Sequence, residues 1–262
     1  MLRRIRELLK QSIKNIGLLR AVPFLVIFVL EKLGLTWHSR NSTYQLAAKY
    51  ALYPLQARCG TSDIDVFRQI FVEREYACLD NVSEPDLIVD CGANVGYSSA
   101  YFLSTFPQCS VIAIEPDPSN VTVLEANLAP YGDRVTVIRA GVWSHSTGIK
   151  IVSLGEDRGW ETQVRECAPG EIADVRATDI GTVLRESGKK HISILKMDIE
   201  GSEAIVFASN YSEWLNAVDN IVIELHDYPG FKNASEIFHK AIGPRDFDIS
   251  QSGELTVCKS RG

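Results

Sequence analysis

Three acids stand where the chain leaves a short apolar run. Asp90 follows Leu87-Ile88-Val89, Glu115 follows Val111 to Ile114, and Asp198 ends the stretch from His191 to Met197. Such runs, rich in β-branched residues, read as strands buried on both faces of a parallel sheet. Acids at their ends share the edge where open α/β sheets bind ligands. Asp90 opens the turn Asp90-Cys91-Gly92-Ala93-Asn94-Val95-Gly96. Glycines there let a ligand approach the backbone without meeting a Cβ. The turn lacks the G-x-G-x-x-G spacing that receives a pyrophosphate, and its acid would repel one. An acid suits a ligand that carries ammonium and hydroxyl groups. S-adenosylmethionine, with an amino-acid moiety, a sulfonium and a ribose, is such a ligand.

Asp90, Gly92, Asn94 and Gly96 are therefore candidate cofactor residues. Glu115 lies 19 residues beyond Gly96, where a carboxylate accepts bonds from ribose hydroxyls in nucleoside-binding folds. Trp143 follows a third apolar run, Arg134 to Arg139. It could cover an adenine ring or simply pack the sheet edge. The densest polar cluster is Lys196-Met197-Asp198-Ile199-Glu200-Gly201-Ser202-Glu203. Asp198 and Glu200 are candidate catalytic residues there. His226 is another, because it follows a further strand, Asn220 to Glu224, and a histidine can exchange a proton near neutral pH. Asp198 and Glu200 could equally hold a divalent cation, since hard oxygen ligands suit magnesium. Two acids supply no third ligand, so that choice stays open.

These side chains need a doubly wound α/β frame. After the turn, Tyr97 to Leu103 has helical spacing, and Pro116-Asp117-Pro118 sets up a second helix start. Thr178-Asp179 starts another, with Asp179 as its cap. Ile149 to Val152 and residues 161–164 read as an exposed hairpin. Phe247 to Ser250 and Leu255 to Lys259, joined at Gly253, form a hairpin that brings an antiparallel strand to one edge of the sheet.

The first 60 residues read as a helical extension, and residues 61–262 as the main domain. Leu2, Ile5, Leu9, Ile13 and Ile16 form an apolar stripe among six basic residues up to Arg20. Ala21 to Leu30 is apolar throughout, yet ten residues are too few to span a bilayer, which needs about 20. The segment could pack on the main domain, touch a membrane surface through residues 1–35, or act as a signal. Asp63 is placed to start a helix whose face carries Ile64, Phe67, Ile70 and Phe71.

Composition narrows the class. The net charge of −6 recommends no nucleic-acid partner. Six cysteines without metal-ligand spacing fit reduced thiols in a cytoplasmic protein, possible membrane association aside.

The stretches VDCGANVGYSS (89–99), AIEPDPSNVTVLEAN (113–127), ATDI (177–180), ILKMDIEGSEAIVF (194–207) and IVIELHD (221–227) resemble the FkbM family of S-adenosylmethionine-dependent methyltransferases. The likeness runs from about Asp63 to Lys259. It implies a seven-stranded Rossmann-like methyltransferase sheet and methyl transfer, usually to a hydroxyl oxygen. Asp90, Gly92, Asn94 and Gly96 then belong to the cofactor turn and Glu115 to the ribose. Lys196, Asp198, Glu200, Gly201 and Glu203 fill the family's lysine-aspartate-glutamate-glycine block. Ala177-Thr178 departs from the leucine often found before the aspartate, which touches only a helix start. The expected acceptor is a hydroxyl on a glycan, a lipid-linked molecule or a secondary metabolite. Two alternatives are a nicotinamide-dependent oxidoreductase, disfavoured by the missing glycine fingerprint, and a scaffold that keeps the fold without the chemistry, disfavoured by the intact acids.

Overall fold

The chain starts with two helices parted at Gly17: α1 (Leu2–Ile16), whose apolar residues recur at steps of three and four, and α2 (Leu18–Lys32), apolar from Ala21 to Leu30. The computed structural model describes residues 2–35, 42–153, 162–227 and 233–261. A small antiparallel pair follows, β1 (Thr43–Leu46) and β2 (Leu55–Arg58). Helix α3 (Asp63–Phe67) continues into a π-helical turn, Arg68–Val72. The main sheet begins with β3 (Leu87–Cys91), α4 (Tyr97–Thr105), β4 (Ser110–Ile114), α5 (Pro118–Leu128) and β5 (Val135–Ile138). Asp117 caps α5 by accepting from the amides of Ser119 and Asn120, with Pro118 at the first helical position.

The chain then leaves the main sheet. β6 (Gly141–Val142), β7 (Thr147–Ser153), β8 (Thr162–Glu166) and β9 (Val175–Thr178) form a second sheet in the order β6-β9-β7-β8. The expected hairpin is its β7–β8 pair, with Ile151 opposite Val164; residue 161 lies outside the described residues. Helix α6 (Ile180–Glu186), capped by Asp179, leads back to β10 (Ile194–Met197). Then come α7 (Glu203–Val206), β11 (Asn220–Glu224), α8 (Ala234–Ile242), β12 (Phe247–Ser252) and β13 (Leu255–Ser260).

The seven strands of the main sheet lie in the order β12-β13-β11-β10-β3-β4-β5. β5, β4, β3, β10 and β11 run parallel, while β13 is antiparallel to both of its neighbours. The hairpin thus brings its antiparallel strand to the expected edge, one place in from the rim. The chain builds outward from β3 to β5, then lays β10 on the other side of β3. The carboxyl ends of β3 and β10 therefore flank the point where strand order reverses, the ligand crevice of such sheets.

Strand alternation feeds two cores. Ile88, Ala113 and Ile194 face the layer of α3, its π turn, α4 and α5. Val89, Cys91, Leu195 and Met197 face the layer of Val183, Phe207 and Phe238. The first core also takes in the amino-terminal helices. Ile16, Ala21 and Phe24 are fully buried in it, and the Phe24 ring lies 5.5 Å from that of Phe67. Asn15 Nδ2 donates to the Val72 carbonyl at 2.7 Å. One face of the apolar run from Ala21 is thus spent on the domain.

That packing sets a stability expectation. Phe24→Ala should cost about 3–5 kcal/mol, as for truncation of a buried aromatic. Urea unfolding measures it, and an unchanged midpoint would mean that α2 rests on the domain without sharing its core.

Candidate functional site

Beyond β3 the turn is drawn tight. Gly92, Asn94 and Gly96 have φ of 76°, 49° and 84°. A Cβ on Gly92 would lie 1.8 Å from the Asp198 carbonyl oxygen, so glycine is required for two loops to touch. Any side chain there would push the turn away from Asp198 as well as fill ligand space. Asp90 stands beneath the turn. Its Oδ2 accepts from the hydroxyls of Ser98 and Ser99 at 2.6 Å each. Its Oδ1 lies 3.1 Å from Lys196 Nζ. Lys196 Nζ in turn donates to the carbonyl oxygens of Gly92 at 2.7 Å and Cys91 at 3.3 Å. Burial disfavours the lysine's charge, but Asp90 and Asp198 beside it outweigh that and raise its pKa. Asp90 lines neither cavity described below; it holds the turn in shape from within.

Glu115 is 5% exposed and braces the turn from the other side. Oε2 accepts from the Asn94 amide at 2.9 Å, and Oε1 from the Asp117 amide at 3.0 Å and Asn120 Nδ2 at 3.2 Å. Burial raises its pKa against these hydrogen bonds. Three of a carboxylate's roughly four acceptor positions are taken, which leaves one for an incoming donor. Glu115, Gly92, Asn94, Asn120, Gly141 and Val142 line a shallow pocket. Its apolar wall comes from Ile114, Ala140 and Val142. Trp143 is not in that wall. It is buried against Ile149 and Ala177 of the second sheet, with its amide donating to the Thr178 carbonyl at 2.9 Å. The ring thus packs the edge, the plainer of its two expected roles.

A second cavity of about 470 Å³ adjoins the pocket and shares Gly92, Asn94, Asp198 and Glu200 with it. Its floor carries Lys196, Asp198, Glu224 and His226. Its opposite wall comes from α3 and the π turn, with Ser62, Asp65, Arg68 and Gln69, and from Lys32 at the end of α2. Glu200 and Gly201 both hold positive φ, 54° and 100°, in the loop after β10. A non-glycine residue in that region is a strain that concentrates at functional sites.

His226 lies among carboxylates. Nδ1 is 3.0 Å from Glu203 Oε1, and Nε2 is 3.5 Å from Glu224 Oε1 and 3.7 Å from Glu200 Oε2. Glu203 is fully buried, and its Oε1 also accepts from the Ile199 amide at 3.1 Å. Burial works against an imidazolium, but Glu203 and Glu224 overcome it and push the pKa up to about 11. At neutral pH His226 is a cation, which makes it a poor proton acceptor. Asp198 is the opposite case. Burial, aided by Glu224, raises its pKa although Lys196 pulls it down. Burial also raises Glu75, helped by Glu224 and Asp198, to about 7. The cavity holds a surplus of negative charge.

Asp198, Glu224 and His226 each offer one donor atom within 4.8 Å of the others, a set of two hard oxygens and an imidazole that suits a divalent cation. Sequence reasoning had Asp198 and Glu200 for that role and missed Glu224. The signal was present, since Glu224 ends an apolar strand as Glu115 and Asp198 follow theirs. Glu75 gave none, because it ends no strand: it opens a short 3₁₀ helix, Glu75–Leu79, after Arg74, whose φ is 60°.

The Methyltransferase FkbM domain profile matches residues 90–248. Methyltransferase sdnD of Sordaria araneosa is 28% identical over 218 residues, covering 71% of this chain and 82% of its own. The 31-O-demethyl-FK506 methyltransferase FkbM of Streptomyces tacrolimicus is 24% identical over 195 residues, 63% of this chain and 75% of its own. The O-methyltransferase TomG of Streptomyces achromogenes, solved in complex with S-adenosylmethionine, superposes with a TM-score of 0.42 at 11% identity, over 72% of this chain and 79% of that one.

The geometry of His226 predicts its titration. Its pKa is raised, so the stability it contributes is fully present below its ordinary value near 6.5 and lost only as pH climbs through about 11. Imidazole resonances followed by NMR should show His226 protonated across the neutral range. A midpoint near 6.5 would mean that Glu203 and Glu224 do not hold it.

Proposed function

Because the chain belongs to the FkbM methyltransferase family, we propose that it transfers a methyl group from S-adenosylmethionine to a hydroxyl oxygen of a small-molecule acceptor. One observation carries this reading: an acid-lined cavity continues from the pocket beside Glu115 across the shared wall of Gly92, Asn94, Asp198 and Glu200. Six carboxyl groups line this cavity (Asp65, Glu75, Asp198, Glu200, Glu224 and Glu254) against four cations, Lys32, Arg68, Lys196 and His226, which leaves it short of positive charge. A cofactor with a sulfonium and an ammonium group fits that deficit. A pyrophosphate does not, which counts against the nicotinamide alternative.

The residues divide the work. Glu115 receives a ribose hydroxyl at its remaining acceptor position, and Ile114 and Val142 flank the base. Gly92 gives the backbone clearance for the chain between nucleoside and amino acid. When bound, S-adenosylmethionine supplies a methyl already activated by its sulfonium. What remains for the protein is to align an oxygen and receive its proton. Asp198 serves as that base: it lines both pockets, and burial has made its carboxylate more basic. His226, fixed by Glu203, and Lys196, fixed by Asp90, supply positive charge on either side of it. The acceptor occupies the space between Asp198 and the helical wall of Arg68 and Gln69.

Titration calorimetry should show Glu115→Ala weakening S-adenosylmethionine binding by about 1.5–3 kcal/mol, the range for a hydrogen bond to a charged group. Equal affinity would remove Glu115 from the site. Asp198→Asn should retain cofactor affinity and lose ~10²–10⁴-fold in turnover, read by mass spectrometry as methyl gain on candidate hydroxyl compounds. Turnover that persists would remove Asp198 as the base. Chelation of the wild type is expected to leave turnover unchanged. Activity lost to a chelator and restored by magnesium would instead assign Asp198, Glu224 and His226 to a cation.

A further inference from the structure

Helix α2 is apolar on the face turned to the core and on the face turned away from it. Ala21 and Phe24 face the core. The opposite face presents Leu18, Leu19, Val22, Val26, Val29 and Leu33 to solvent, with Leu19 90% exposed and Leu33 65%. Steps of three and four from Val22 to Leu33 make these one continuous stripe. Among the described residues, nine of the thirteen exposed large apolar side chains fall between Leu9 and Leu35. Scattered apolar side chains need no explanation, but a contiguous patch marks a contact site.

Charge says what kind of contact. The first 35 residues carry seven Lys and Arg against two acids, a net charge of +5, while the whole chain carries −6. The rest of the chain is therefore at −11. Arg6, Lys10, Lys14 and Arg20 are exposed, alongside the exposed apolar side chains of Leu9 and Ile13. No helix among the described residues is long and apolar enough to cross a membrane. A basic helix beside an apolar face that stays outside the core is what lies in the plane of an anionic lipid surface. The acidic remainder of the chain is repelled from that surface, which orients the molecule with α1 and α2 towards it.

We propose that α1 and α2 dock the protein flat on an anionic bilayer, with Leu19, Val22, Val26, Val29 and Leu33 entering the acyl boundary and Lys10, Lys14 and Arg20 meeting the head groups. Lys32, the last residue of α2, lines the second cavity and pairs with Asp65 at 2.8 Å. Docking therefore places that end of the cavity wall beside the lipid surface. This contact is independent of the methyl-transfer reading, since it uses no residue of the turn or the acid cluster.

Co-sedimentation of the full chain with phosphatidylcholine vesicles, with and without phosphatidylglycerol, tests it. The protein should pellet with the anionic vesicles at low salt, much less with phosphatidylcholine alone, and less as salt rises. The double variant Val22→Asp, Val26→Asp and the double variant Lys10→Glu, Lys14→Glu should each lower the partition on the order of tenfold. Their urea midpoints should match wild type, because all four side chains are solvent-facing. Absence of pelleting with anionic vesicles overturns the proposal, as does pelleting that neither variant reduces. A concentration-dependent dimer in sedimentation velocity, abolished by Val22→Asp, Val26→Asp and unaccompanied by vesicle binding, would assign the face to a second copy and overturn it too.

Discussion

Two buried charges on neighbouring strands hold the site together. Asp90 and Lys196 sit opposite each other in the β3–β10 register, where the order of the sheet reverses. Leaving either one unpaired would cost about 3–5 kcal/mol, and both are tied into more than the pair. The carboxylate gathers the first serines of α4, and the ammonium gathers the last carbonyls of β3 and its turn. Strand, turn, helix and the loop after β10 are thus referred to one point. The close contact of Gly92 with Asp198 follows from it, because the turn has been drawn inward until only a hydrogen fits.

Around this neutral anchor the site is left acidic. Asp198, Glu200, Glu224 and Glu75 share a cavity whose cations are already engaged, Lys196 by Asp90, His226 by Glu203, Lys32 by Asp65 and Arg68 by Glu73. Holding like charges together costs stability, and at Glu75 the neighbouring Glu224 and Asp198 add to burial in raising the pKa. A cationic ligand would relieve it, so binding and folding are coupled in the same direction.

Much of this could be read from the chain. Apolar runs marked the parallel strands, and Asp117 and Asp179 announced their helices by their position before Pro118 and Ile180. The acid at the end of each run marked the edge. A strand's period gives the two faces of the sheet, but not whether an end residue turns into the crevice or under it. Asp90 goes under, where Ser98 and Ser99, eight and nine residues on, and Lys196, over a hundred residues on, supply its partners. Trp143 escaped for another reason: the chain after β5 leaves the main sheet at β6, so its neighbours are Ile149 and Ala177. In α2 the uniform apolarity from Ala21 to Leu30 erased the period that would have shown one face turned inward and one outward.

The π-helical turn at Arg68–Val72 has a consequence for how such a site can change. Its wide turn lets Ile70, Phe71 and Val72 stay buried while Arg68 and Gln69 reach the cavity. A π turn amounts to one residue more than an α-helix would use. Removing that residue would rotate Arg68 and Gln69 along the wall and leave the sheet edge untouched. On the proposed reading, the molecule keeps its reactive edge and its recognition surface on separate pieces of chain. Selection can retune what the enzyme accepts on the helical side, by insertions as well as substitutions, without renegotiating the chemistry on the other.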